Sequence, residues 1–196
     1  MNTPQSKLFS YVVNHDHGFA PNPYHGCCTL AHCKFSKDGK RRNIVELAQP
    51  GDWIVGTGGA DLSRSSGHGT IVYAMRVDLK LSLRDYFTDA SFMKKKPSTK
   101  YRYGDNLKKH VSEQRFVLIA KRFYYFGSNA VPIPKTLKTG VPPLEKRGPG
   151  FKSNFPQSFI RKFEKWIESL PRGVQGNPCA INHSRRCGPC NRKSAA

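Results

Sequence analysis

Short apolar runs rich in β-branched and aromatic residues, bounded by glycine, proline and asparagine, predict β-strands over most of the chain. The clearest are residues 7–13, 53–59, 70–79 and 116–126. The run at 116–126 carries the strongest strand signal and reads as one element. Within it, alternation sends Tyr124 and Phe126 to one face and Tyr125 to the other. The period then changes. Phe155, Phe159, Ile160, Phe163, Trp166, Ile167 and Leu170 recur at helical spacing, with Arg161, Lys162, Glu164, Lys165 and Glu168 on the opposite face. This pattern predicts an amphipathic helix over 155–170 whose aromatic stripe is core. Asn154 is placed as its N-cap, Pro156 fits the first turn, and Pro171 with Gly173 ends it. A shorter helix is predicted from Leu83 to Phe92, capped by Ser82.

Between these elements lie polar loops. Residues 131–150 hold five prolines and three glycines and read as irregular. After Gly176 the composition shifts to cysteine, arginine and small residues. The chain thus divides into a domain over 1–176 and a basic Cys/His-rich tail over 177–196. The fold class expected is α+β: a mixed, strongly bent β-sheet or partly closed barrel, closed by the amphipathic helix.

Charge changes the picture most. Lys and Arg number 33 against 13 Asp and Glu, a formal net charge of +20. Self-repulsion of that size favours a polyanionic partner, and counterion release makes nucleic acid the first candidate. An anionic membrane surface, an acidic protein or a plain solubility device are the weaker readings. Hydrophobic residues at 37% and aromatics at 11% argue against wholesale disorder. No run of 18 apolar residues occurs, and the first 25 residues lack a charged start followed by an apolar core. A cytoplasmic protein is the expectation. The six cysteines then read as free thiols or metal ligands rather than disulfides.

Four places could carry chemistry. The loop after the first strand, residues 14–26, concentrates His15, Asp16, His17, Asn22 and His25. Beyond it lie Cys27, Cys28, His32 and Cys33. Asp16 is a candidate general base, and Cys28 is a buried packing residue, a zinc ligand with its neighbours or a nucleophile assisted by His25. Gly56-Thr57-Gly58-Gly59 is either a tight turn or a strand end open to a phosphate or base. Lys94, Lys95, Lys96 and Lys100, with Tyr101, Arg102 and Tyr103, form a basic loop interleaved with aromatics. Asp105 and Asn106 follow as a polar corner, with Asp105 a second candidate general base. In the tail, Cys179, His183, Cys187 and Cys190 form a candidate zinc set, against the alternative of a flexible basic arm.

Several blocks together resemble a known family. They are Phe9-Ser10-Tyr11-Val12-Val13, then Asp16 with Gly18-Phe19-Ala20-Pro21-Asn22-Pro23-Tyr24 and Cys28-Thr29-Leu30-Ala31. Gly51-Asp52-Trp53-Ile54-Val55-Gly56-Thr57-Gly58, Gly104-Asp105-Asn106, Phe123-Tyr124-Tyr125-Phe126-Gly127 and Arg147-Gly148-Pro149-Gly150-Phe151-Lys152-Ser153-Asn154 extend them. Over roughly residues 7–178 the chain resembles the second nucleotide modification-associated domain family. That family occurs in bacteria and phages and is linked to DNA base modification by genomic context. The resemblance implies a place in a base-modification system, DNA favoured over RNA. It draws Asn22, His25, Asp52, Trp53, Thr57, Asn106, Tyr124 and Lys152 in as binding candidates, the pocket lying near residues 16–28 and 52–58. A barrel like the PUA and EVE base-binding domains would suit by analogy. Three functions stay open: a binding module that holds a base or nucleotide, an enzyme that modifies, removes or transfers a group to a base, and a phage-encoded factor that binds a host protein.

Overall fold

The computed structural model describes residues 5–31, 43–95 and 115–180. The strands are β1 (Leu8–Val13), β2 (Cys28–Leu30), β3 (Trp53–Gly58), β4 (Thr70–Arg76), β5 (Leu79–Ser82), β6 (Phe116–Ala120), β7 (Arg122–Tyr125), β8 (Val131–Pro132), β9 (Phe151–Lys152) and β10 (Gly173–Val174). The α-helices are α1 (Ile44–Leu47), α2 (Leu83–Thr88), α3 (Lys135–Lys138) and α4 (Gln157–Ile167). A seven-stranded sheet runs β10-β7-β4-β3-β1-β9, with β8 also paired to β4. A second sheet of three strands runs β2-β6-β5.

Alternation along the central strands sorts the core into layers. Leu8, Trp53, Val55, Ala74, Tyr124 and Phe126 face α4, which buries Phe159, Ile160, Phe163 and Ile167 against them. Phe9, Tyr11, Ile54, Tyr73, Met75 and Tyr125 face the other way, with Cys28, Leu30 and Leu118 of the small sheet. Val117 and Ile119 show the small sheet's outer face to Leu83, Tyr86 and Phe92. The opposite facing of Tyr124 and Tyr125 is as the alternation predicts.

The mixed α+β class is as expected, but the sheets do not close into a barrel. The large sheet ends in β9 and β10, each of two residues, which do not pair with one another. The bend is concentrated at one corner. The run at 116–126 is two strands, not one: β6 belongs to the small sheet and β7 to the large one. The run at 70–79 divides in the same way, between β4 and β5. The breaks are locked together, since Asp78 N donates to Ile119 O at 2.8 Å and Lys121 N to the Asp78 carboxylate at 2.5 Å. Strands that switch sheets at a corner need such satisfied turns.

Helix α4 starts later than the apolar period suggests. Pro156 holds the N-cap position, and its carbonyl accepts from Phe159 N and Ile160 N; no side chain caps the helix, so Asn154 has no such role. The helix predicted over 83–92 is α2 followed by a 3-10 turn, Ala90–Lys95. Ser82 caps α2 as expected, its hydroxyl accepting from Asp85 N at 3.0 Å.

Candidate functional site

Strands β1 and β3 are parallel neighbours, with Leu8 opposite Trp53 and Val13 opposite Gly58. Their carboxyl ends therefore lie together. The antiparallel registers of β4, β7 and β9 bring Thr70, Tyr125 and Phe151 to the same end. The loops at 14–26, 59–69, 145–150 and 175–180 gather there. In sheets with parallel strands this is the end where ligands bind.

The glycines of β3 do not leave room for a ligand. A Cβ on Gly56 would meet the Tyr73 ring at 2.4 Å, one on Gly58 the Gly67 carbonyl, and one on Gly59 the Asn14 side chain. The chain itself occupies the space, so these glycines serve close packing within and beyond β3 and form neither a tight turn nor a ligand opening. The loop is fixed by Ser65, whose hydroxyl accepts from Gly59 N at 2.8 Å and donates to Val13 O at 2.5 Å.

Asp16 is the hub of this end. It is 1% exposed. Tyr125 OH lies 2.8 Å from both carboxylate oxygens, and Gly18 N and Cys179 N donate from 3.3 Å. Its backbone accepts from Ala180 N and donates to Arg64 O. One side chain thus ties the loop after β1 to β7 and to residues 179–180. Burial raises its pKa, against the pull of the Tyr125 hydroxyl and the Cys179 and Gly18 N–H groups. Burial and the Asp16 charge push the Tyr125 hydroxyl up in turn. The arrangement is a buried pin rather than an open general base.

Around the pin lies an exposed shell. His15 and His17 have nearly parallel rings, 11° apart in plane with centroids 6.1 Å apart. Arg64 Nη1 lies 3.1 Å from His15 Nε2, a contact in which the guanidinium can only donate. Tyr24 is 37% exposed, its ring beside Gly18.

The other candidates scatter. Lys95 turns inward, 4% exposed, so it cannot serve as a nucleic-acid contact. Its ammonium donates to Asn22 O, Asn22 Oδ1, Tyr24 O and Cys27 O at 3.1, 3.2, 2.5 and 2.6 Å, cross-linking the loop that holds Asn22 and His25. His25 is exposed in the left-handed region at φ 59°. Cys28 is 0% exposed, and burial pushes its thiol pKa up, so it packs rather than attacks. Lys94 remains exposed.

Asp52 and Trp53 sit at the opposite end of β3. The five residues from Asp52 to Thr57 span about 17 Å at strand rise, so no single pocket joins 16–28 with the Gly-Asp-Trp turn. Asp52 closes that turn, accepting from Lys7 N at 2.7 Å and Gln49 N at 2.9 Å. Trp53 is buried against α4 and donates its indole N–H to Glu164 at 2.8 Å. A cavity of about 530 Å³ opens beside the turn, lined by Ser6, Lys7, Asp52, Arg76 and Glu164 among others. Thr57 donates towards Tyr11 O and Lys146 O, and Lys152 binds the carbonyls of Pro143 and Glu145; both hold loops. Tyr124 is fully buried, with no hydrogen-bond partner for its hydroxyl among the described residues.

Cys179 is buried against the domain, and its thiol pKa is pushed up to about 11 by burial and the Asp16 charge. As a zinc ligand it would have to shed that proton and leave Asp16. The domain therefore runs on beyond Gly176, to Ala180 at least. Lys96, Lys100, Arg102, Asp105, Asn106, His183, Cys187 and Cys190 lie outside the described residues. Among the described residues no group of three His, Cys, Asp or Glu is placed to hold a metal, and no helix is long and apolar enough to cross a membrane.

Sequence reasoning missed Arg64, Tyr125 and Glu145 as members of this end. Arg64 lay in a run of serine and glycine, Tyr125 in a core strand and Glu145 in a proline-rich loop. Only the pairing of distant strands brings them together.

Fold and site define an open two-sheet α+β domain whose conspicuous polar cluster gathers at the carboxyl end of a parallel strand pair. The family model of nucleotide modification associated domain 2 matches the chain over residues 5–116 and 108–185, and the chain belongs to that family. No curated protein and no solved structure matches it.

Proposed function

We propose that this chain is a nucleic-acid-binding module of a DNA base-modification system, holding a nucleotide at the loop end of β1 and β3. The observation that carries the reading is a formal charge of +20 on a member of a nucleotide-modification family. Each phosphate neutralised releases counterions, so the charge favours nucleic acid independently of sequence. The parallel rings of His15 and His17, the Tyr24 ring and Arg64 offer flat and cationic groups of the kind that stack bases. Lys94, Lys96, Lys100, Arg102 and the basic tail add phosphate contacts in this reading. A binding module is favoured over an enzyme because the two described catalytic candidates, Asp16 and Cys28, are 1% and 0% exposed.

Fluorescence titration of labelled single- and double-stranded DNA over a range of salt tests this. A steep fall in affinity with salt is expected, of about 0.9 in log–log slope per duplex phosphate contacted. The triple variant His15→Ala, His17→Ala, Arg64→Ala should weaken single-stranded binding. A slope near zero would end the nucleic-acid reading, and an unaffected triple variant would move the site elsewhere.

A further inference from the structure

Beside the Asp16 shell lies a second cluster, built on Glu145. This carboxylate is 7% exposed. Its Oε1 accepts from Gly69 N at 2.8 Å and lies 3.7 Å from His68 Nδ1, and its Oε2 accepts from Arg147 Nη2 at 3.3 Å. A single buried group thus steadies an imidazole from the loop after β3 and a guanidinium from the loop before β9. Both carry their remaining donors outward: the His68 side chain is 39% exposed and that of Arg147 68%. Lys138 comes up on the same spot, its ammonium 3.3 Å from where a Cβ on Gly69 would stand. Its backbone N–H donates to Pro134 O, and its ammonium makes no hydrogen bond or ion pair among the described residues. Lys146 and Lys152 stand close by, binding the carbonyls of Arg147 and Gly148, and of Pro143 and Glu145.

The local charge is unbalanced. One carboxylate stands beside Arg147 and His68, while Lys138 lies against Gly69 and Lys146 and Lys152 flank the same corner. The carboxylate is spent on its own neighbours, since Gly69 N and Arg147 donate to its two oxygens and His68 lies 3.7 Å from one of them. Arg147 can offer a fork of N–H donors and His68 a single one, a geometry matched to tetrahedral oxyanions. Gly69, at φ 77°, puts no side chain between them.

We propose that His68, Arg147 and Lys138, positioned by the buried Glu145, form a site for a phosphate group of a nucleotide or nucleic-acid backbone. Glu145 is a positioning residue and touches no ligand. The site lies at the same end of the sheet as the His15–His17–Arg64 shell, so a strand lying across that end would meet stacking groups and a phosphate clamp in turn. The assignment of the ligand to nucleic acid rests on the proposed function above; the affinity for phosphate does not.

The test uses the full chain, with the His68 ring followed by NMR during titration with inorganic phosphate, a nucleoside 5′-monophosphate, and a short single-stranded oligonucleotide lacking terminal phosphates. The wild type should show a saturable shift of the His68 resonances. Arg147→Ala should weaken phosphate binding about tenfold or more, the loss expected for a charge-assisted fork. Glu145→Gln should weaken it while leaving Arg147 in place, and His68→Ala should lower the affinity read by calorimetry. Arg172→Ala removes one exposed cation elsewhere and should change affinity less than about twofold. Response to the monophosphate but not the oligonucleotide would identify a free nucleotide as the ligand. Response to the phosphates together with no oligonucleotide binding at any salt would keep the clamp and end the nucleic-acid reading. A non-saturable shift, equal losses in Arg147→Ala and Arg172→Ala, or an unaffected Arg147→Ala would overturn the clamp.

Discussion

Replacing Tyr125 by Phe removes one oxygen and tests the central pin. In the folded chain that hydroxyl lies 2.8 Å from both oxygens of a carboxylate that is 1% exposed. Two backbone N–H groups at 3.3 Å are left as the nearest donors. A hydrogen bond to a charged group is worth about 1.5–3 kcal/mol, and no solvent reaches Asp16 to replace it. Tyr125→Phe should therefore destabilise the domain by about 2–3 kcal/mol. For a chain of this size that corresponds to a fall in Tm of roughly 5–10 °C. Urea unfolding at pH 7 reads the loss, and a double-mutant cycle with Asp16→Asn should return a coupling of about 1–2 kcal/mol. The pH dependence supplies a second reading. Burial lifts the Asp16 carboxyl above its ordinary value of 3.8, so the folded chain holds this proton more tightly than the unfolded one. The stabilisation from that proton is complete below the ordinary value and is lost as pH rises through the higher folded value. Relative to Asp16→Asn, the wild type should gain stability as pH falls from 7 into the acid range. In Tyr125→Phe the gain should begin at higher pH, because the hydroxyl no longer favours the carboxylate. A loss under about 0.5 kcal/mol, with an unmoved pH profile, would refute the pin.

Two further substitutions test the scaffold. Lys95→Met keeps the apolar stem but takes the ammonium from four oxygens of the 22–27 loop, of which only Asn22 O and Oδ1 keep further donors, Thr29 N and Tyr24 N. It should cost about 2–4 kcal/mol and speed hydrogen exchange at residues 22–28; unchanged exchange would remove Lys95 as the cross-link. Gly56→Ala drives a methyl to within 2.4 Å of the Tyr73 ring and 2.6 Å of Val13. It should cost about 2 kcal/mol or more by denaturant unfolding, and a neutral result would mean that the tyrosine row across β1, β4 and β7 repacks freely.

What the sequence made legible follows from range. The alternation in Phe123–Phe126 and the helical period from Phe159 to Ile167 are local patterns, and both appear as layers of the core. The Ser82 cap is also local, needing only its own hydroxyl and the N–H three residues on. The division of 116–126 was marked only by the charged pair Lys121-Arg122, which the exposed face of one continuous strand could also carry. Its cause is Asp78, 43 residues away, which receives the Lys121 N–H. The site shows the same limit. Asp16 stood out as an acid in a glycine- and proline-rich loop, but its partners are Tyr125 and Cys179, 109 and 163 residues distant. Lys95 sat in a basic run indistinguishable from Lys94, and only the carbonyls of 22–27 turn one inward and leave the other in solvent. Asp52 and Trp53 were drawn towards the pocket by their motif, whereas parallel pairing puts them at the far end of β3.

The buried charged residues of this end share one design. Asp16, Lys95 and Glu145 are 1%, 4% and 7% exposed, and each ties loop backbone that the sheet alone would leave loose. Asp16 holds Gly18 and Cys179, Lys95 holds Asn22, Tyr24 and Cys27, and Glu145 holds Gly69 and Arg147. Burying a charge costs several kcal/mol unless its hydrogen bonds are met, so three such residues at one end weigh against folding economy alone. What they secure is position. Behind Asp16 stand His15 and His17, behind Lys95 stand Tyr24 and His25, and behind Glu145 stand His68 and Arg147. In every case the buried charge fixes a loop whose exposed neighbours are aromatic or cationic. Surface groups held this way lose less rotational and loop entropy when a ligand arrives, which is the physical advantage of a preorganised site. A chain that needed its net charge only for solubility would have no reason to anchor its aromatic and cationic side chains so firmly at one end of the sheet.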